Sequence, residues 1–244
     1  MGNTWAPRPV RRVQARPGAA IDSNWLTSLA PVRQLLAEGL DLSQATVLVG
    51  ENGTGKSTLV EAIAMAFGMN GEGGSTGAMH TTWTSESPLH DWLQLVRGAG
   101  ASKWGYFVRA ETMHGLFTFL DGSRRDSPTR DPEFHRLSHG ESFRALLDTG
   151  RFRGDGFYVL DEPEAGLSFT AQLRLVGDLM NMLTNDGAQV LVATHSPIIA
   201  SLPGAELLEL DEDGYHERRW ADLDLVMHYR NFCEAPHRYL RHLE

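Results

Sequence analysis

An α/β fold, with a mostly parallel core sheet flanked by helices, is predicted by three features of the sequence. Apolar runs with the length of buried strands, such as "ATVLVG", "FYVLDE" and "QVLVATH", alternate with segments of helical period. The order strand, helix, strand recurs, which implies parallel pairing. Glycine-rich turns punctuate the joins. The chain has 244 residues, 41% hydrophobic and 22% charged, with 6 Trp, 10 Phe and 5 Tyr. That is globular composition rather than disorder, and the length suits a single domain over residues 1–244.

In chain order, residues 1–20 carry Arg8, Arg11, Arg12 and Arg16, no acid and three prolines, which suits an extended edge segment or a loose arm, solvated or binding. Between Trp25 and Leu42 the residues Leu26, Leu29, Val32, Leu35 and Leu36 recur at three and four, so one amphipathic helix is expected. "ATVLVG" reads as a strand, and "STLVEAIAMAFG" as the helix beyond the turn that follows it. Residues 68–78 hold five glycines and read as a mobile loop. "PLHDWLQLV" reads as a short helix, "WGYFVRA" as a strand, and "DGSRRDSPTRDP" as turn-forming. Residues 68–136 thus form a variable region of loops and short helices. A helix is expected from Ser138, and another over residues 168–183 between two strands. "AELLELDEDGYHERRW" reads as a hairpin, with helices over 221–244.

Composition also excludes function classes. The net charge of −9 argues against a surface built chiefly to coat nucleic acid. One cysteine, Cys233, excludes an internal disulfide and cysteine-based structural zinc, and suits a reducing compartment. No apolar run approaches the ~18 residues of a spanning helix, and "MGNTWAPRPVRR" has neither a signal core nor the hydroxyl that myristoylation needs at Ala6. A cytoplasmic protein without membrane insertion is expected.

"GENGTGKS" at residues 50–57 matches the phosphate-binding pattern G-x-x-x-x-G-K-[ST] between a strand and a helix, the context that the pattern requires. Gly50, Gly53 and Gly55 let backbone N–H groups converge on phosphate oxygens at a helix N-terminus. The candidate nucleotide contacts there are Asn52, Gly53, Thr54, Gly55, Lys56, Ser57 and Thr58. Lys56 supplies charge to the terminal phosphates, and Ser57 offers its hydroxyl to Mg2+. ATP or GTP is the expected ligand. "FYVLDEPEAGLS" ends a strand in Asp161, placed to hold the Mg2+ shell, and Glu162, placed to orient or deprotonate the attacking water. "RLSHGES" sets Ser138 and Gly140 at a helix start, and "VATHSP" puts His195 just past a strand, within reach of a γ-phosphate or the water.

Taken together, "GENGTGKST", "LSHGE", "LDEPEAGLS" and "THS" resemble, in order and spacing, the Walker A, signature, Walker B with D-loop, and switch-histidine motifs of ABC-type P-loop ATPases. The resemblance spans about residues 45–200 and is closest to small stand-alone bacterial ATP-binding proteins of the AAA family, similar to the heads of SMC and RecF-like repair proteins. It implies ATP with Mg2+ as cofactors, hydrolysis, and a homodimer formed on ATP binding. In that dimer Lys56 and Ser57 of one chain, with Ser138, Gly140 and Glu141 of the other, grip one nucleotide. Glu162 would be the catalytic carboxylate, His195 the γ-phosphate sensor, and Glu164 to Leu167 the loop that communicates across the dimer.

The chain departs from the pattern in three places. The signature has His139 where transporters carry glycine. No Gln ends the strand after the P-loop; Glu111 stands there, serving Mg2+ or water or else pairing with Arg109. The adenine-stacking aromatic is unassigned, since Trp25 reads equally as core. The short interval from Glu111 to Ser138 holds no coiled-coil arm. A DNA-repair or defence ATPase, or a regulator of a nuclease or toxin partner, leads. Its candidate phosphate contacts are Arg8, Arg11, Arg12, Arg124, Arg125 and Arg130, which read equally as solvated surface. The alternatives are the ATPase subunit of a membrane transporter and a non-hydrolysing ATP sensor.

Overall fold

The computed structural model of the chain describes residues 8–76, 87–123, 132–137 and 139–241. The elements run β1 (Arg12–Ala15), α1 (Trp25–Ser28), α2 (Ala30–Glu38), β2 (Leu40–Asp41), β3 (Ala45–Gly50), α3 (Lys56–Phe67), β4 (Gly74–Ser75), α4 (Leu89–Trp92), β5 (Leu93–Val96) and β6 (Gly105–Arg109). They continue with α5 (Met113–Ser123), α6 (His139–Leu147), β7 (Phe157–Asp161), α7 (Phe169–Asn185), β8 (Gln189–Thr194), β9 (Glu206–Leu210), β10 (Tyr215–Arg218), α8 (Asp224–Glu234) and α9 (His237–Leu240). The main sheet has the order β10-β9-β3-β8-β7-β6-β4. Its five inner strands are parallel and its two edge strands antiparallel.

Period-two alternation along the inner strands divides the core into two layers. Val47 and Val49, Val190 and Val192, and Tyr158 and Leu160 face one side, against α5, α6, α7 and α8. Leu48, Leu191, Ala193, Phe157 and Val159 face the other, against α2, α3 and the small sheet. Because both faces are covered, these strands read as unbroken apolar runs, and their C-terminal ends form one edge where the motif loops gather.

Several local expectations are corrected. From residue 8 on, the N-terminal segment is neither an edge nor a loose arm: β1 is the centre of a three-stranded antiparallel sheet, β2-β1-β5. Two of its arginines are drawn into the fold, with Arg8 Nη1 donating to the Leu42 carbonyl at 2.7 Å and Arg12 pairing with Asp41 at 2.8 Å, while Arg11 is exposed. The single helix expected over 25–42 is two. Asn24 and Thr27 close a capping box on α1, Leu29 is extended, and Pro31 restarts the helix in its first turn, where a missing N–H costs nothing. "PLHDWLQLV" is helical only through Trp92; its second half is β5, whose Leu93 alternates inward beside β1. The glycine-rich stretch after α3 contains β4, which pairs with β6 on the edge of the main sheet. Trp25 is exposed rather than core.

Candidate functional site

β3 runs directly into the P-loop. At Gly50 any Cβ would overlap the Leu210 carbonyl of the neighbouring strand, so only glycine ends β3 there. Gly55 caps α3 at φ 96°, a left-handed conformation that a larger residue would hold under strain. No side chain caps α3, so its first N–H groups are left to an anion. Lys56 lies folded over the loop, its Nζ donating to the carbonyls of Gly50 (2.8 Å) and Glu51 (2.9 Å). Burial lowers its pKa from the usual lysine value, against the pull of Glu162, Asp161, Glu164 and Glu51. Thr54 Oγ1 donates to the Glu51 carbonyl at 2.9 Å. Asn52 and Gly53 are exposed at the crest, and Thr58 is half-buried in the first turn of α3.

β7 brings Asp161 against this loop. Ser57 Oγ donates to Asp161 Oδ1 at 3.0 Å, which joins the hydroxyl and the carboxylate expected at the metal. Burial pushes the Asp161 carboxyl up to about 6, opposed by the Ser57 hydrogen bond and by Arg109, and assisted by Glu162 and Glu111. Arg109 sits beside Asp161 in the parallel register of β6 and β7. Its guanidinium meets Glu61 at 2.6 Å, Glu111 at 3.3 Å and Asp161 Oδ2 at 3.5 Å. Glu111 therefore reaches Arg109 directly, with its own side chain turned largely to solvent. Arg109 and Glu61 escape a motif search. Glu61 stands four residues after Ser57, on the same face of α3, and that spacing is the one sequence signal that could have found it.

Beyond Asp161 the chain turns sharply. Glu162, at φ 50°, is the only non-glycine among the described residues in the left-handed region. Its Oε1 lies 3.3 Å from Nε2 of His195, which comes from the end of the adjacent strand β8. That imidazole nitrogen is buried and makes no hydrogen bond of good geometry. The backbone N–H of His195 donates to Glu164 Oε1 at 2.6 Å. Sequence reading places Glu164 only in a loop between chains and misses this contact within the chain.

The signature segment does not join these groups. Ser138 lies outside the described residues. Gly140, half-buried, and Glu141, exposed, begin α6 beside Leu167 and Ser168 in a cleft of about 490 Å3. The P-loop residues Gly50 to Thr54 line a separate cleft of about 500 Å3 with His195, Leu29, Asp211 and Asp224. Among the described residues no three His, Cys, Asp or Glu side chains gather as a metal cage. The Ser57–Asp161 pair nevertheless supplies two hard oxygen donors in contact, which suits Mg2+ shared with phosphate oxygens.

The family model described as "AAA domain, putative AbiEii toxin, Type IV TA system" matches residues 78–201, and an "AAA domain" model matches residues 36–93. The chain is 30% identical over 190 residues to the cytochrome c biogenesis ATP-binding export protein CcmA of Gluconobacter oxydans, covering 75% of this chain and 84% of that one. It is 31% identical over 153 residues to the zinc import ATP-binding protein ZnuC of Vibrio cholerae, covering 62% of this chain and 56% of that relative's length. Among solved structures, the SMC head domain from Thermotoga maritima aligns with a TM-score of 0.41 at 16% identity, over 74% of this chain and 93% of that one. With one family model matched across half its length and an ATP-binding relative aligned over most of both chains, the protein belongs to the AAA-domain, ABC-type P-loop ATPases.

Proposed function

We propose that the chain hydrolyses ATP in a nucleotide-sandwiched homodimer. The observation that carries this reading is the meeting of Ser57 with Asp161 and of Glu162 with His195 on one sheet edge, while Gly140 and Glu141 line a different cleft. Backbone N–H groups of residues 52–58 and the Lys56 ammonium hold the phosphates. Mg2+, held by Ser57 and Asp161, would neutralise charge on the transferred phosphoryl group. Glu162 orients the water and takes its proton, and His195 senses the γ-phosphate. Gly140 and Glu141, with Ser138, serve the nucleotide of the opposite chain.

The downstream partner in this reading is a nuclease or toxin protein of a defence or repair system. The family description "putative AbiEii toxin, Type IV TA system" supports it, as does the engagement of Arg8 and Arg12 within the fold; Arg124, Arg125 and Arg130 lie outside the described residues. A second reading, the ATPase subunit of a membrane transporter, is favoured by the names of the zinc-import and cytochrome c biogenesis relatives. No helix among the described residues is long and apolar enough to cross a membrane, so in that reading the membrane-spanning part lies outside them.

Steady-state hydrolysis with Mg2+ across a range of protein concentrations tests the catalytic reading. Turnover per chain rises with concentration, and Glu162→Gln keeps ATP, accumulates as dimer and loses at least about 100-fold in kcat. Equal turnover in variant and parent removes Glu162 from its role. Stimulation by double-stranded DNA that fades with salt would restore DNA as the effector.

A further inference from the structure

The junction of β7 and β8 contains a hydrogen bond that regular pairing does not explain. Asp161 and Ala193 are in register, and Glu162 N donates to the Ala193 carbonyl at 2.9 Å. In a parallel ladder the next rung would run from His195 N to the Glu162 carbonyl. That rung is not made. Glu162 turns at φ 50°, and its carbonyl accepts from Ala165 N at 3.1 Å instead. The vacated place is taken by a side chain, Glu164 Oε1, at 2.6 Å from His195 N.

We infer that Glu164 is a positioning residue: its carboxylate replaces the missing rung and fixes the backbone of His195, so that the imidazole stays beside Glu162. The inference rests on the reading of Glu162 and His195 as the groups that act at the γ-phosphate. Two observations argue that the contact is more than a turn stabiliser. Glu164 Oε2 is buried without a hydrogen-bond partner, an expense in desolvation that folding alone gives no reason to keep. The contact also ties the D-loop to the switch histidine inside one chain, since Leu167 N donates to the Glu164 carbonyl at 2.8 Å and Leu167 borders Gly140. Any displacement of residues 164–167 by a second chain is thereby transmitted to His195.

Reach and charge are separable. Glu164→Gln keeps the reach and an acceptor oxygen, Glu164→Asp keeps the charge but is one methylene short, and Glu164→Ala removes both. For a positioning role, Ala and Asp lower kcat for ATP about 10- to 100-fold with KM within about threefold, whereas Gln stays within about threefold of the parent. Amide hydrogen exchange at His195 is the second readout. It accelerates at least about tenfold in Asp and Ala and holds in Gln. Should the Ala chain fail to fold, the Asp and Gln pair carries the comparison. Parental kcat in the Asp variant, Gln falling as far as Asp, or lost activity with unchanged His195 exchange would each overturn the inference. A parent chain without turnover would count against the proposed function alone, and His195 exchange would still decide whether Glu164 holds that backbone.

Discussion

Asp161 is held at a cost to the folded chain. Its carboxyl is raised to about 6 from 3.8, chiefly by burial. A raised folded value means that the stability Asp161 contributes is fully present below pH 3.8 and is lost as pH rises through about 6. Asp161→Asn removes the group that titrates. In chelator and without nucleotide, the variant is expected to be more stable than the parent at pH 7 by about 2 kcal/mol, with the gain vanishing near pH 4. Urea unfolding at both pH values measures this, and a destabilised variant at pH 7 would contradict it. The same substitution removes the oxygen proposed for Mg2+, so stability and turnover should move in opposite directions. Arg109 moderates the cost, standing 3.5 Å from Asp161 while its strongest contact goes to Glu61.

At the scale of elements, the segments flanking the small sheet are fastened to the large one by a buried side chain, beside the apolar layer that the two sheets share. Gln189, at the start of β8, accepts from Val10 N at 2.8 Å and donates to the carbonyls of Val10 (2.6 Å) and Ser43 (2.9 Å). Gln189→Ala leaves these backbone groups without their partner and should cost about 2 to 4 kcal/mol, read from the denaturation midpoint at unchanged slope. The same contact marks the limit of local reading. The inner strands are legible because burial on both faces writes itself as unbroken apolar runs. The place of β1 is not, because its second neighbour, Leu93 to Val96, and the Gln189 side chain that holds the preceding Val10 lie far along the chain. In the site, Lys56, Ser57, Asp161, Glu162 and His195 are legible through motif spacing. Arg109 and Glu164 are not: one acts through strand register, the other through a ladder that breaks.

At the scale of the molecule, P-loop and signature residues line different clefts, so a complete site requires two chains if both grip one nucleotide. Lys56→Ala and Ser138→Arg chains should each be inactive alone and recover about a quarter of parental turnover when mixed equally, since half the pairs then carry one intact site of two. No recovery on mixing would argue against the sandwich. The central position of β1 in its sheet also has a bearing on synthesis. As the chain leaves the ribosome, β1 can pair with β2 early but must wait for residues 93–96 to complete the sheet, and for residue 189 before Val10 is fastened. The P-loop is thus complete in sequence well before the layer behind it is locked. A stall in translation between β5 and β8 would leave a nascent chain with its nucleotide loop made and its first strand incompletely secured.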